Sequence, residues 1–183
     1  MKLDYKIILR EIESSLDNSN LDNFKQFIDE ILNARLIICY GAGRVGLALQ
    51  GFSKRLRHLG LEGFYLEDSS VPASGFGDVL IIGSGSGSTP TVKIAAEVAS
   101  KNNLKILTIT ASPLSPIAAI SSTVLHISAP SKINKTIGVN SIQPMTTLFE
   151  QSLSILLDSF VLEIMKRTGE TGQSMTKRHN VIE

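Results

Sequence analysis

The sequence predicts an α/β fold, a three-layer sandwich in which a five-stranded parallel sheet is flanked by helices. Two observations lead to this prediction. Short apolar runs alternate with helical segments along most of the 183-residue chain, a pattern typical of a parallel sheet covered on both faces. Three of these runs lead directly into turns rich in glycine, serine or threonine, as expected where strands of such a sheet connect to helices.

Two helices are expected before the sheet, within about residues 1–34. Apolar residues recur at helical spacing over 21–32, where Asn20 can serve as the N-cap. A weaker helical pattern covers 8–16. Helices of this kind can pack on the domain or on a second subunit.

Five strands and their connecting helices follow. Thr89 and Pro90 suit the N-cap and first turn of one helix, and Gly60 is placed to end the helix before it. The strands are expected at 36–40, 63–66, 79–82, 105–110 and 124–127, and the helices at 44–59 and 90–102, with a short helix before the last strand.

The C-terminal third is predicted to be a loop, a long helix and a tail. Residues 129–142 show no period, whereas an apolar stripe runs from Pro144 to about Thr168 and Gly169 can end that helix. The remainder, about 170–183, is a polar tail. Since no linker divides the chain, residues 1–183 are predicted to form one domain.

Composition excludes several classes of protein. A net charge of +1 without runs of like charge argues against nucleic acid and membrane surfaces as partners. No apolar segment approaches the roughly 18 residues of a membrane span. Cys39 is the single cysteine, which suggests a reducing compartment, so a cytoplasmic location is expected. The three histidines are widely spaced, and neither a metal nor an organic cofactor is expected.

The turn Gly83–Thr89 is the most informative segment. Serine or threonine alternates with glycine here, between an apolar strand and a helix opened by proline. Glycine allows the backbone to approach a ligand closely, and free N–H groups at a helix start attract anions. The hydroxyls of Ser84, Ser86, Ser88 and Thr89 can add donors. The turn therefore predicts a phosphate site.

The first turn supports a rival hypothesis. Residues 41–46 match the G-x-G-x-x-G spacing of dinucleotide-binding domains, and Glu67 and Asp68 follow the second strand, where an acidic residue would contact a ribose. A nicotinamide-binding domain would not need the hydroxyl-rich second turn, however. It would also need a substrate domain, for which the chain has little room.

Taken together, the turns resemble those of the SIS (sugar isomerase) domain family. That family binds phosphosugars with the pattern S-x-S-G-x-T, which stands here as Ser84–Thr89. The resemblance extends from about residue 31 to the end and is greatest to the 6-phospho-3-hexuloisomerase branch. Its further points are Tyr40-Gly41-Ala42-Gly43-Arg44, Arg55-Leu56, His58-Leu59-Gly60, Pro144-Met145, Thr147-Leu148-Phe149-Glu150 and Arg178-His179.

The resemblance implies an enzyme that interconverts D-arabino-hex-3-ulose 6-phosphate and fructose 6-phosphate, as in the ribulose monophosphate pathway. It implies a homotetramer with sites shared between subunits. Glu150 is then the base that moves a proton between carbons, and His179 assists from the tail of a neighbouring subunit. Gly43 and Arg44 join the substrate site. Val45 departs from the family, which usually has a serine there, and removes a hydroxyl from the pocket.

Two other functions remain open from the sequence. A non-catalytic sugar-phosphate sensor with the same fold would bind without turnover, and Val45 is the feature that favours it. A nicotinamide-binding domain would bind NAD through the first turn and Asp68.

Overall fold

The structure is a computed structural model, and it describes residues 4–131 and 140–182. Two helices precede the first strand, and helices join most of the strands that follow. The elements are α1 (Tyr5–Asp17), α2 (Phe24–Asn33), β1 (Ile37–Tyr40), α3 (Gly43–His58), β2 (Gly63–Tyr65), β3 (Val79–Gly83), α4 (Pro90–Lys101), β4 (Lys105–Thr110), α5 (Pro116–Ala119), β5 (Thr123–His126), α6 (Thr147–Thr168) and α7 (Gly172–Thr176).

The five strands form one parallel sheet in the order β2-β1-β3-β4-β5, which confirms the predicted fold. After β1 the chain extends the sheet to one side with β2 and then crosses to the other side with β3. A crevice opens beyond the carboxyl ends of the strands where the order reverses, and such crevices hold ligands in open α/β sheets. The reversal lies here between β1 and β3.

Both faces of the sheet are buried. Alternate residues of one strand point to opposite faces, so Ile37 and Cys39 join one cluster of buried side chains while Leu36 and Ile38 join the other. Helices α2, α3 and α6 cover the first face, and α4 and α5 cover the second. Helix α1 packs outside α6, where the hydroxyls of Ser15 and Ser152 are buried and hydrogen-bonded at 3.0 Å.

The long helix begins later than the sequence suggests. Pro144 was expected to open it, but Met145 has a φ of 57° and breaks the helical path. The carbonyl of Pro144 instead accepts hydrogen bonds from the N–H and hydroxyl of Thr147, where α6 starts. Gly169, with a φ of 74°, ends α6 as expected.

Close contact between α3 and the sheet explains why the last residue of the first turn, Gly46, has to be a glycine. A Cβ atom at Gly46 would lie 2.4 Å from the carbonyl oxygen of Gly41 and 2.6 Å from the hydroxyl of Tyr65. The same hydroxyl donates to the Gly41 carbonyl at 2.9 Å. The start of α3 is thereby held against β1 and β2. Within the described ranges, no helix combines the length and apolar character that crossing a membrane requires.

Candidate active site

A cavity of about 380 Å³ lies at the carboxyl edge of the sheet, beside the ends of β1 and β3. Its size falls in the range of small-molecule sites. Its walls come from the first turn (residues 41–46), from the turn Gly83–Thr89, called the serine-glycine turn below, and from the residues that lead into α6. The lining residues are Ala42, Gly43, Arg44, Val45, Gly83, Ser84, Gly85, Ser86, Thr89, Pro144, Met145, Thr146, Thr147 and Glu150.

Three helices begin at the wall of this cavity. Gly43 opens α3, Thr89 is the N-cap of α4 and Thr147 opens α6. The N–H groups in the first turn of a helix have no partner within that helix, and the helix dipole places partial positive charge there. The cavity is therefore suited to an anion such as a phosphate.

The serine-glycine turn is folded by its own hydroxyls. Ser84 is buried, its Oγ accepts from the N–H of Gly87 at 3.1 Å, and it lies 3.4 Å from Thr89 Oγ1. The Thr89 hydroxyl makes no capping bond to α4, contrary to its expected role, and lines the cavity instead. Ser88 differs from the others because its hydroxyl donates to Ser86 Oγ at 3.3 Å and it is not part of the cavity wall.

Gly87 cannot be replaced without moving the turn. Its φ is 61°, a conformation that side chains disfavour. A Cβ atom there would also lie 1.9 Å from Ser115 Oγ and 2.3 Å from Ser115 Cβ. The turn is thus packed against the start of α5, and its shape depends on glycine at this position.

Glu150 projects into the same cavity from α6. Its Oε1 accepts the Thr146 hydroxyl at 2.9 Å, and its Oε2 lies 2.9 Å from Arg44 Nε. Only 14% of the side chain is exposed, and Oε2 has no well-aligned hydrogen bond to the described residues. A carboxylate held in this way, largely out of water and beside a cation, can accept a proton from a ligand in the cavity.

Sequence reasoning missed Thr146 and Met145. Thr146 orients Glu150 through its hydroxyl, and Met145 lines the cavity in its left-handed conformation. A threonine four residues before a glutamate at a helix start was the available signal for Thr146. Nothing local marks the conformation of Met145.

Val45 belongs to the core as much as to the cavity. It is buried and packs with the apolar cluster under α3. Its Cγ1 would lie 2.9 Å from a Cβ at Gly41 and 2.8 Å from one at Gly83, so it fills the space between the two turns. The branched apolar side chain at this position therefore contributes packing to both turns.

His179 lies far from Glu150 within one chain. Its ring stacks on that of His58, with centroids 5.0 Å apart, at the C-terminal end of α3. Since an α-helix rises about 1.5 Å per residue, some 21 Å of α3 separate His58 from Arg44. The tail is held there by Arg178, which bonds both carboxylate oxygens of Glu170 at 2.8 Å and the carbonyl of His58 at 3.0 Å.

A second cavity, of about 560 Å³, lies on the other side of the first turn, at the place where a dinucleotide would bind according to the rival hypothesis. Glu67 and Asp68 line it together with Tyr65. Burial, and after it the charge of Glu67, raises the pKa of the Tyr65 hydroxyl. Packing of Gly46 against Gly41 accounts for the glycine spacing that suggested a dinucleotide.

The part of the chain that the structure describes contains no candidate metal site. No cluster of three or more histidine, cysteine or acidic residues that could hold an ion occurs there. Cys39 is fully buried in β1, and burial raises the pKa of its thiol.

Comparison with known proteins identifies the family. Residues 30–155 match the SIS domain. The chain is 31% identical over 176 residues to 3-hexulose-6-phosphate isomerase of Bacillus subtilis, covering 96% of this chain and 95% of that one. The enzyme of the same name from Mycobacterium gastri is 32% identical over 154 residues, 84% and 77% of the two chains.

A solved structure agrees. A hypothetical protein of Methanococcus jannaschii, for which the function of 3-hexulose-6-phosphate isomerase was inferred, superimposes with a TM-score of 0.83 at 27% identity. The match covers 98% of this chain and 99% of that one. These findings confirm the resemblance first seen in the turn Ser84–Thr89, and the chain belongs to the SIS domain family.

Proposed function

We propose that this protein is a cofactor-independent isomerase that interconverts D-arabino-hex-3-ulose 6-phosphate and fructose 6-phosphate. The observation that carries the proposal is the placement of Glu150. Its carboxylate, held by Thr146 and Arg44, shares one cavity with the hydroxyls of the serine-glycine turn. A relative that matches nearly the whole chain bears the name of this activity, and so do others that match about four fifths of it.

The phosphate of the substrate is assigned to the serine-glycine turn. Ser84, Ser86 and Thr89 present hydroxyls to the cavity beside the start of α4. Ser88 acts indirectly, by holding the Ser86 hydroxyl. Gly43, without a side chain, leaves space for the sugar at the start of α3. Serine and threonine hydroxyls together with helix N–H groups are favourable partners for phosphate oxygens.

Glu150 then moves the proton between carbons. Its carboxylate takes the proton from C2, the C–H electron pair forms the C2=C3 double bond, and the C3 carbonyl oxygen becomes an enediolate oxygen. The same carboxyl returns the proton to C3 as the carbonyl forms at C2. Arg44, beside Glu150, supplies positive charge for the enediolate. The reaction is a redistribution of hydrogen within the sugar, so it needs no external oxidant or reductant.

The oxygen atoms exchange a proton in the same reaction, because O2 loses one while O3 gains one. His179 is proposed for this transfer, acting in the site of a neighbouring subunit. Its position at the far end of α3 supports a shared site. Exposed apolar side chains on α1 and α6, at Leu9, Ile155 and Leu162, support the assembly of subunits into the proposed homotetramer. A cytoplasmic location is part of the same proposal.

The activity is tested by supplying D-arabino-hex-3-ulose 6-phosphate to the purified protein and measuring fructose 6-phosphate with a coupled assay. We expect turnover without added metal or nucleotide, with a turnover number in the range of about 1–10³ s⁻¹ typical of enzymes. Binding of fructose 6-phosphate without turnover would support the sensor instead. Pentose 5-phosphates and glucose 6-phosphate serve as substrate controls.

The shared site is tested by mixing two inactive variants, Glu150→Gln and His179→Ala. If His179 serves a neighbour's cavity, subunit exchange creates sites that contain both native residues. In an equimolar, randomly exchanged mixture about a quarter of all sites are of this kind, so activity should return to about a quarter of the native value. If both residues belong to one chain's site, no site in the mixture is complete. Mass photometry before and after mixing reports the oligomer and its exchange.

A further inference from the structure

Glu11, on the outer helix α1, binds the chain just before the active-site wall. Its Oε2 accepts the hydroxyl of Ser141 at 2.7 Å and the side-chain amide of Gln143 at 2.9 Å. Its Oε1 accepts the backbone N–H of Ile142 at 2.9 Å. Three consecutive residues are therefore attached to one carboxylate, which lies outside residues 30–155, the part of the chain that matches the SIS domain.

The attached residues lead directly to the catalytic wall. Pro144, Met145 and Thr146 follow them and line the cavity. Met145 needs its left-handed conformation to bring Thr146 to the start of α6, where the threonine hydroxyl meets Glu150 Oε1 at 2.9 Å. A left-handed non-glycine residue is held by its surroundings rather than by its own preference. Glu11 provides such support on the N-terminal side.

We propose that Glu11 is a positioning residue of the active site, which fixes residues 141–143 and through them the orientation of Thr146 and Glu150. This inference rests on the proposed function, since it assigns Glu11 to the isomerase site. It gives α1 a role in the reaction even though α1 lies outside the sheet and its covering helices.

A carboxylate is the group that this arrangement requires. All three partners donate hydrogen bonds, and an ionised carboxyl group has acceptors on both oxygens. Burial raises the pKa of Glu11, whereas the hydrogen bonds from Ile142, Ser141 and Gln143 lower it. The hydrogen bonds together outweigh burial, so the pKa lies below its usual value and the group is ionised at neutral pH. A glutamine side chain has an NH₂ group, itself a donor, in place of one carboxylate oxygen. It could therefore not accept all three of these hydrogen bonds.

Helix α1 is itself a firm support for this role. It packs along α6, and the buried hydrogen bond between Ser15 and Ser152 joins the two helices one turn beyond Glu11. Helix α1 therefore links residues 141–143, which precede α6 and are bound by Glu11, to Ser152 within α6, which is bound by Ser15. Because small displacements of a catalytic group reduce rates strongly, a shift of this support affects turnover before it affects folding.

The test compares Glu11→Gln with Glu13→Gln, an exposed glutamate on the same helix. We expect kcat of Glu11→Gln to fall about 10- to 100-fold, because a misplacement of about 1 Å can cost 10²-fold, while the melting temperature changes little. Glu13→Gln should match the native protein. Thr146→Val, alone and combined with Glu11→Gln, shows whether Glu11 acts through Thr146, in which case the two losses do not multiply.

Native kcat and KM in Glu11→Gln, or losses that multiply in the double variant, would overturn the inference. If Glu11→Gln does not fold, Ser141→Ala with Gln143→Met removes two of the donors from the loop side and is expected to give the same loss. Hydrogen exchange across residues 140–150 separates this inference from the proposed function. Faster exchange in Glu11→Gln supports positioning even if the native protein proves inactive, and unchanged exchange refutes it.

Discussion

Replacing Glu150 with glutamine is expected to lower the isomerase kcat by about 10²- to 10⁴-fold, the usual contribution of a general base. Glutamine has the same shape and can still accept the Thr146 hydroxyl, but it cannot take the C2 proton. Deuterium from the solvent should enter C3 of fructose 6-phosphate, and C2 of the hex-3-ulose 6-phosphate formed from it, in the native protein and not in the variant, as followed by proton NMR. The dissociation constant of fructose 6-phosphate should change only a few-fold.

Glu163→Gln is the matched control for this experiment. Glu163 lies on the same helix, is paired with Arg167 and takes no part in the cavity, so its replacement should leave exchange and kcat unchanged. Exchange that persists at the native rate in Glu150→Gln would assign the base to another group. The pairing of Arg44 with Glu150 would then be structural.

Replacing Gly87 with alanine is expected to damage both stability and substrate binding. The left-handed backbone costs about 1–2 kcal/mol for alanine, and the overlap with Ser115 adds an overpacking cost of about 1–3 kcal/mol. At roughly 2–4 °C per kcal/mol for a chain of this size, the melting temperature should fall by about 4–20 °C. KM should rise because Ser84, Ser86 and Thr89 lose their common orientation.

A second substitution separates the two causes. Ser115→Gly removes the side chain that the new methyl group would strike, and glycine replaces serine at an N-cap with only a small loss. The double variant should therefore recover the overpacking part of the loss and keep the conformational part. Gly172→Ala, where nothing lies near the added atom, controls for the substitution itself. Equal melting temperatures for Gly87→Ala and the native protein would refute the packing argument.

Local patterns were sufficient for the elements of the fold. Each predicted strand overlaps an observed one, because runs such as 79–82 are apolar on both faces and end at turn residues. Gly60 and Gly169 stop their helices with positive φ values, as glycine after a helix suggests. The serine-glycine turn indicated an anion site, since its position between a strand and a helix is itself local information.

The arrangement within the site needed contacts between distant segments. Thr89 was a sound N-cap by sequence, yet its hydroxyl faces Ser84 because the turn folds on itself. Pro144 was a sound helix start, yet Met145 interrupts the path and α6 begins at Thr147. In both cases a local preference worth about 1 kcal/mol competed with packing across the cavity, which the sequence pattern does not contain.

The sequence by itself determined the parallel sheet, its helices and the position of the serine-glycine turn, because periodicity, caps and glycine act over a few neighbouring residues. Only the tertiary structure decided that Arg44 and Thr146 hold the two oxygens of Glu150, that Ser88 lies outside the cavity wall and that Glu11 binds residues 141–143. Those contacts depend on how α3 and α6 pack on one face of the sheet and on how α1 packs against α6. Packing geometry is a property of the whole core and has no signature in any short segment.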